Sequence, residues 1–214
     1  MLKQDVVVVD YGVGNLLSVQ RALEECDAKV TVTSNPDILL GASKVILPGV
    51  GAFSSGMTAL ENMDMVEPLR EVSAKGVPVL GICLGMQLLL GEGEEFTLTP
   101  GLKLIPGRVV PVPECGLDGA LVKIPHIGWN ALEKANGTSW SGPILDRTKP
   151  GDSVYFVHSF MAAVEDQCAV WAECIYGGIS IPSVIGRDNV IGCQFHPEKS
   201  GEVGLDILRS FLSF

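Results

Sequence analysis

The stretch Gly81-Ile82-Cys83-Leu84-Gly85-Met86-Gln87 is entered from the apolar run Val77-Pro78-Val79-Leu80 and left through Leu88-Leu89-Leu90. It reads as a buried strand, a tight turn and a helix. Glycines two residues before and two residues after Cys83 let strand and helix cross closely, because no Cβ stands between them. Cys83 then sits at the tip, at a helix N-terminus, where unpaired N–H groups and the helix dipole favour thiolate over thiol and where a backbone N–H faces a developing oxyanion. On this motif alone two readings stand side by side. One is a nucleophilic cysteine, the other a buried structural thiol, since free cysteine is among the most buried residue types.

Working outward, the chain alternates strand and helix on both sides of this elbow. Val6-Val7-Val8-Val9 is β-branched without polar alternation, which suits a strand covered on both faces of a parallel sheet. The turn Asp10-Tyr11-Gly12-Val13-Gly14-Asn15 follows, then a helix to about Glu25 with Leu16, Val19 and Leu23 on one face. A dinucleotide fingerprint is incomplete there, because Leu17 stands where a third glycine is needed, so a tight turn capped by Asn15 is expected. Strands are expected at Lys29–Thr33 and Lys44–Leu47, and helices from Asn35-Pro36-Asp37, over Met57–Met63 and over Glu67–Lys75. The loop Pro48-Gly49-Val50-Gly51 lies at a strand end, where open α/β sheets place ligands, and its two glycines free the peptides around Val50 to turn an N–H toward a site. Beyond Leu90 the pattern shifts to short strands rich in Pro and Gly, at 107–112, 122–130 and 153–159. It ends in a meander over 171–176, 183–186 and 190–195 and an amphipathic helix over 204–214. The expected fold is one α/β domain over 1–214: a mixed, mostly parallel central sheet flanked by helices, with an antiparallel extension beside it.

Composition limits the function. A net charge of −10 over 214 residues argues against nucleic-acid and anionic-membrane partners, which require a basic surface. The cysteines at 26, 83, 115, 168, 174 and 193 form no C-x-x-C pair and no zinc spacing, so no metal is expected and the thiols read as reduced and intracellular. Met1-Leu2-Lys3-Gln4-Asp5 shows no export signal, and the longest apolar stretch, Val77 to Gly91, falls short of the ~20 residues of a membrane span. A cytoplasmic protein is expected.

A thiol attacking an amide needs a base, and the chain has three histidines. In Gln194-Phe195-His196-Pro197-Glu198 the proline pushes His196 into an extended conformation, and residues i and i+2 of an extended segment share a side. Glu198 then orients one ring nitrogen of His196 while the other faces Cys83, which is the logic of a nucleophile, base and orienter triad. His126 and His158 have no carboxylate two residues away and sit among apolar and aromatic residues. They read as structural or as part of a docking surface with a Trp or Tyr anchor.

The elbow and the His-Pro-Glu stretch resemble the two signatures of class I, triad-type glutamine amidotransferases. Within them, four stretches resemble the glutaminase subunits of imidazole glycerol phosphate synthase: residues 10–15, 47–53, Ile124-Pro125-His126-Ile127-Gly128-Trp129-Asn130, and Tyr155-Phe156-Val157-His158-Ser159. The resemblance implies that Cys83 attacks the side-chain amide of glutamine, that His196 moves the proton and that Glu198 orients it. It implies backbone N–H groups of Leu84 and, after a local rearrangement, Val50 as the oxyanion hole, and Gly51, Gln87, Ser159 and Phe160 around glutamine. It implies no cofactor, and a (β/α)₈ cyclase subunit as partner that takes up the ammonia, with Asn15, Trp129, Tyr155 and Lys199 on the facing surface. Phe160 stands where many relatives have Tyr, and Gly201 where Gln is common; neither departure touches the triad. Two other readings stay open at this point. One is an amidotransferase serving another synthase, as in anthranilate or pyridoxal phosphate synthesis; the other is a flavodoxin-like scaffold that keeps the elbow without the reaction.

Overall fold

A computed structural model describes residues 4–117, 119–135, 140 and 142–214. The first half alternates strand and helix: β1 (Gln4–Val9), α1 (Leu16–Glu25), β2 (Ala28–Thr33), α2 (Pro36–Leu40), β3 (Val45–Leu47), α3 (Phe53–Asn62), α4 (Val66–Ala74), β4 (Val79–Ile82) and α5 (Leu84–Leu88). The second half is strand-rich: β5 (Glu92–Gly93), β6 (Thr99–Pro100), β7 (Gly107–Pro111), β8 (His126–Ala131), β9 (Glu133–Lys134), β10 (Ser153–His158), β11 (Phe160–Val164), β12 (Val170–Tyr176), β13 (Ile179–Arg187) and β14 (Val190–Cys193), closed by α6 (Gly201–Ser213).

The central sheet has the order β2-β1-β3-β4-β14-β13-β12-β9. Its first five strands are parallel and its last three run antiparallel. The period of two in β1 explains the two cores. Val6 and Val8 point to one face, with Val19 and Leu23 of α1 and Ile207, Leu208 and Phe211 of α6. Val7 and Val9 point to the other, with Leu60 of α3, Leu69 of α4 and Leu84 of α5. A strand buried on both faces has no polar alternation to show, hence the plain Val run.

Three details differ from the sequence reading. Helix α3 begins at Phe53 rather than Met57, because the Phe53 N–H is capped by the Glu95 carboxylate from a distant loop at 2.7 Å. The mid-chain strands lie against the central sheet, β8 on β12 and β11 on β13, without joining its ladder: β8 and β10 form a separate antiparallel pair, and β11-β7-β5-β6 a separate small sheet. Residues 122–125 stay outside β8, where Pro125 offers no N–H to a ladder. The expected meander forms as β12-β13-β14, with β9 added beside β12, and β14 also pairs with β4, which joins the meander to the parallel strands. All four residues of β14 are buried, the mark of a central strand.

That topology gathers four strand ends. The 10–15 turn after β1, the Pro48–Gly51 loop after β3, Cys83 after β4 and His196 after β14 all leave the carboxyl edge of neighbouring parallel strands, the edge at which open α/β sheets hold ligands.

Candidate active site

Cys83 links β4 to α5 with φ 54° and ψ −109°, a strained conformation for a residue carrying a side chain. The flanking glycines make it achievable. A Cβ on Gly85 would stand 1.7 Å from the Leu47 carbonyl oxygen, and one on Gly81 would stand 2.6 Å from the Met86 nitrogen. Cys83 N–H remains in the sheet, donating to the Cys193 carbonyl at 2.8 Å, so the backbone turns while still anchored. Leu84, as the first residue of α5, has an N–H with no intrahelical acceptor.

His196 is held from three sides. Its N–H donates to the Tyr155 carbonyl at 2.9 Å, its carbonyl accepts from Ser200 Oγ at 2.7 Å, and its Nδ1 meets Glu198 Oε1 at 2.8 Å. Glu198 arrives by a different route from the one expected. Residues Pro197–Lys199 form a 3₁₀ turn, and the carboxylate folds back over that turn rather than along an extended strand. Both side chains are buried, at 3% and 2% exposure. Nε2 of His196 is buried without a hydrogen bond, leaving it available on the side of the thiol. Burial opposes charge on this ring and is the largest single effect. Cys83, and then Glu198, favour the charge and together prevail, raising the pKa to about 9.

In front of Cys83 lies a cavity of about 340 Å³ lined by Val50, Gly51, Cys83, Leu84, Gln87, Glu95, Pro125, Val157, His158, Ser159 and Phe160. Every residue expected at the oxyanion hole or around substrate lines it, while His196 and Glu198 lie outside the lining, with Cys83 among the groups that act on the His196 ring. A larger cleft of about 710 Å³ beside Gly91, Lys103, Arg108 and Glu165 holds neither a cysteine nor a histidine, so the chemistry belongs to the smaller one. The Pro48–Gly51 loop is pinned at one end only. Tyr11 Oη donates to the Pro48 carbonyl at 2.6 Å, and a Cβ on Gly49 would stand 2.3 Å from that hydroxyl. Val50 is 42% exposed and Gly51, at φ 105°, has open space around it. The half of the loop that carries the Val50 peptide is thus the half free to turn.

Four lining residues carry no site signal in the sequence: Glu95, Pro125, Val157 and His158. Glu95 hides in the acidic run Glu92-Gly93-Glu94-Glu95, which reads as a solvated loop. His158 Nδ1 lies 2.9 Å from the Phe160 carbonyl and must donate to it, so its Nε2 accepts from His126 Nδ1, also at 2.9 Å. His126 is sandwiched between Phe156 and Tyr176, in keeping with a structural role. Burial pushes the His158 pKa down to about 4, against the Phe160 carbonyl and helped by His126 and His196; burial lowers that of His126 as well.

The sign of the pH effect follows. Between about pH 6.5 and 4 the unfolded chain binds a proton at His158 that the folded one refuses, so this stability is full above 6.5 and is lost as pH falls. His196 acts oppositely: its contribution is full below 6.5 and is lost as pH rises through about 9. The unfolding temperature should therefore fall on acidification from pH 7 to 5, and His158→Gln should flatten that limb. An acid limb unchanged by the substitution would contradict the assignment.

The residues expected at a partner surface lie on the same edge. The β8–β10 pair alternates, with His126, Phe156 and His158 buried and Ile127, Trp129, Tyr155 and Val157 on the other face. Trp129 is 56% exposed and meets the Tyr155 ring edge-to-face at 6.0 Å. Asn15 caps α1 through Ser18 N–H, as expected, and is exposed; α1 packs beside the 3₁₀ turn that presents Lys199. Among the described residues no helix is long and apolar enough to cross a membrane, and no three His, Cys, Asp or Glu side chains cluster as metal ligands.

An elbow thiol backed by a buried His–Glu pair, on a sheet of this order, defines an amidotransferase site, and residues 7–213 match the family model for class-I glutamine amidotransferases. The chain belongs to that family. More particularly, it is 50% identical over 208 residues to the imidazole glycerol phosphate synthase subunit HisH 1 of Legionella pneumophila strain Paris, covering 97% of this chain and 98% of that one. It is 44% identical over 207 residues to the HisH subunit of Geobacter sulfurreducens, covering 96% and 97%. Among solved structures, a glutamine amidotransferase superposes with a TM-score of 0.72 at 18% identity, covering 97% of each chain. The PurLQS structure from Thermotoga maritima gives 0.69 at 19%, covering 99% of each. At these identities the structures speak for the fold.

Proposed function

We propose that this chain is the glutaminase subunit of an imidazole glycerol phosphate synthase, working in the cytoplasm and passing ammonia to a (β/α)₈ cyclase subunit in histidine biosynthesis. The observation that carries the chemistry is the Cys83 sulfur facing a glutamine-sized cavity and acting on the ring of the buried His196–Glu198 pair. The partner is supported by 44–50% identity to HisH subunits over nearly the whole chain and by the face beside the cavity that carries exposed Ile127 and Trp129 and half-buried Tyr155.

In this reading the Cys83 thiolate attacks the carboxamide carbon of glutamine. Charge gathers on the amide oxygen, which the Leu84 N–H and a turned Val50 N–H receive. Protonated His196 gives its Nε2 proton to the leaving nitrogen, ammonia departs, and a glutamyl thioester remains. Neutral His196 then takes a proton from water, the hydroxide attacks the thioester, and glutamate leaves as the thiolate is restored. Glu198 holds the ring throughout and stabilises its charged form. Gln87 already donates its amide hydrogens to the Phe160 carbonyl and to Gln194 Oε1, both at 3.0 Å, so its own oxygen is the atom left to accept from substrate. Glu95 Oε2 is used by Phe53 N–H, and its second oxygen is suited to the substrate ammonium. Gly51, Ser159 and Phe160 complete the wall.

Because the Val50 end of its loop is free, the oxyanion hole is the incomplete part, and partner binding is what completes it. Glutamine hydrolysis by this chain alone should be weak. It should rise at least about tenfold, the effect of about 1.4 kcal/mol on the barrier, when the cyclase subunit binds its own nucleotide ligand. Equal turnover with and without the loaded cyclase would contradict the proposal.

A further inference from the structure

We infer that Gln194 is a further catalytic residue, whose side-chain amide donates to the Cys83 sulfur and favours the thiolate, oriented by a hydrogen-bond chain that starts at the Phe160 carbonyl. The inference rests on Cys83 being the nucleophile. Gln194 is fully buried, just past the carboxyl end of the central strand β14, where an apolar side chain would otherwise pack, and a buried amide calls for a partner at every polar atom.

The chain of contacts leaves its orientation no freedom. The Phe160 carbonyl can only accept, and Gln87 Nε2 lies 3.0 Å from it, which fixes the Gln87 amide. The second hydrogen of the same nitrogen points to Gln194 Oε1 at 3.0 Å. With its oxygen committed, Gln194 turns its Nε2 toward Cys83 Sγ, 3.7 Å away. Flipping Gln194 alone would set two NH₂ groups face to face; flipping both amides would set an oxygen against the Phe160 carbonyl. Either leaves buried polar groups unpaired. The Gln194 backbone is fixed as well, its N–H donating to the Ser183 carbonyl at 2.9 Å.

The sulfur thereby has a partner for each protonation state. The Val157 carbonyl, 3.8 Å away, accepts from the thiol S–H but offers nothing to an anion. Gln194 Nε2 is a donor, and a donor gains more from a thiolate than from a thiol. His196 supplies the opposite charge, and Gln194 supplies a neutral donor that keeps its place while His196 cycles its proton. Neither member of the motif pair, the elbow or the His-Pro-Glu stretch, does this by itself, since residues 83 and 194 meet only through the β4–β14 pairing.

The test is the pH dependence of Cys83 alkylation by iodoacetamide, followed by peptide mapping so that the exposed Cys115 and Cys168 are counted separately. Gln194→Met removes the donor at similar volume and should move the Cys83 midpoint up by about one pH unit, or about tenfold less thiolate at a given pH below it. Gln194→Glu should move it further by placing a carboxylate at the sulfur. The remaining titratable groups around Cys83 are Tyr11 from the turn after β1, Glu95 from the loop after β5, His158 from β10, Cys193 from β14, and His196 and Glu198; they are unaltered in these variants. Gln87→Met releases the Gln194 amide and should shift the midpoint in the same direction by less. It decides the matter if Gln194→Met does not fold. An unchanged midpoint in the folded variant overturns the role of Gln194. Failure of the nucleophile assignment would instead show as glutaminase turnover surviving in Cys83→Ala.

Discussion

Cys83→Ala should abolish ammonia release from glutamine, by at least about four orders of magnitude, while the cyclase paired with it still makes product from added ammonia. The size of the loss follows from what disappears. Without the sulfur no thioester forms, and His196 has no nucleophile to serve; the oxyanion donors and the binding wall remain but act on an unattacked amide. The fold should survive. The contacts of the sulfur with the Val157 carbonyl and Gln194 are long, at 3.8 and 3.7 Å, its interaction with His196 serves the reaction rather than the packing, and Ala carries the same positive-φ strain that Cys already bears. Loss of both glutamine-dependent and ammonia-dependent synthesis would overturn the role given to Cys83.

Gly85→Ala should be the most damaging single methyl in the chain's active half. Its Cβ would stand 1.7 Å from a backbone oxygen at the end of β3, and backbone cannot swing aside as a flexible side chain does. Helix α5 must then lift from the sheet, opening the core around Leu84 and Leu88, at a cost of about 3 kcal/mol or more. Against a typical total of about 5–15 kcal/mol, that leaves a protein marginal at best. Gly51→Ala is the control. It meets nothing within 4 Å, so it bears only the strain of its positive φ, about 1–2 kcal/mol. Denaturant unfolding of the two variants should separate them clearly, and equal midpoints would contradict this packing.

The same glycines explain why the elbow is legible in the sequence. Gly81 and Gly85 permit a strand and a helix to cross at backbone contact, and that requirement is local in the chain. The Val6–Val9 and Val79–Ile82 runs are legible because strands buried on both faces show no polar alternation. His196 is extended, as the proline that follows it dictates, but the 3₁₀ turn after it, and not a continued extended segment, brings Glu198 to its ring. Contacts made only by the sheet order leave no such trace. Gln194 reaches Cys83 across 111 positions, and Glu95 reaches the Phe53 N–H across 42. The insertion of β14 beside β4 brings Gln194 and Cys83 together, and it is hidden because a short run such as Val190–Cys193 reads alike as edge or centre until burial is known. The mid-chain strands mislead for a related reason: Pro and Gly mark their ends but carry nothing about which sheet they join.

Cys83 should form a covalent glutamyl intermediate. Rapid acid quench during glutamine turnover by the chain with its cyclase partner, followed by mass spectrometry of the proteolytic peptides, tests it directly. A glutamyl adduct on the peptide containing Cys83, absent from Cys83→Ala, is the predicted result. An adduct on another residue, or steady turnover with Cys83 never acylated, would contradict it.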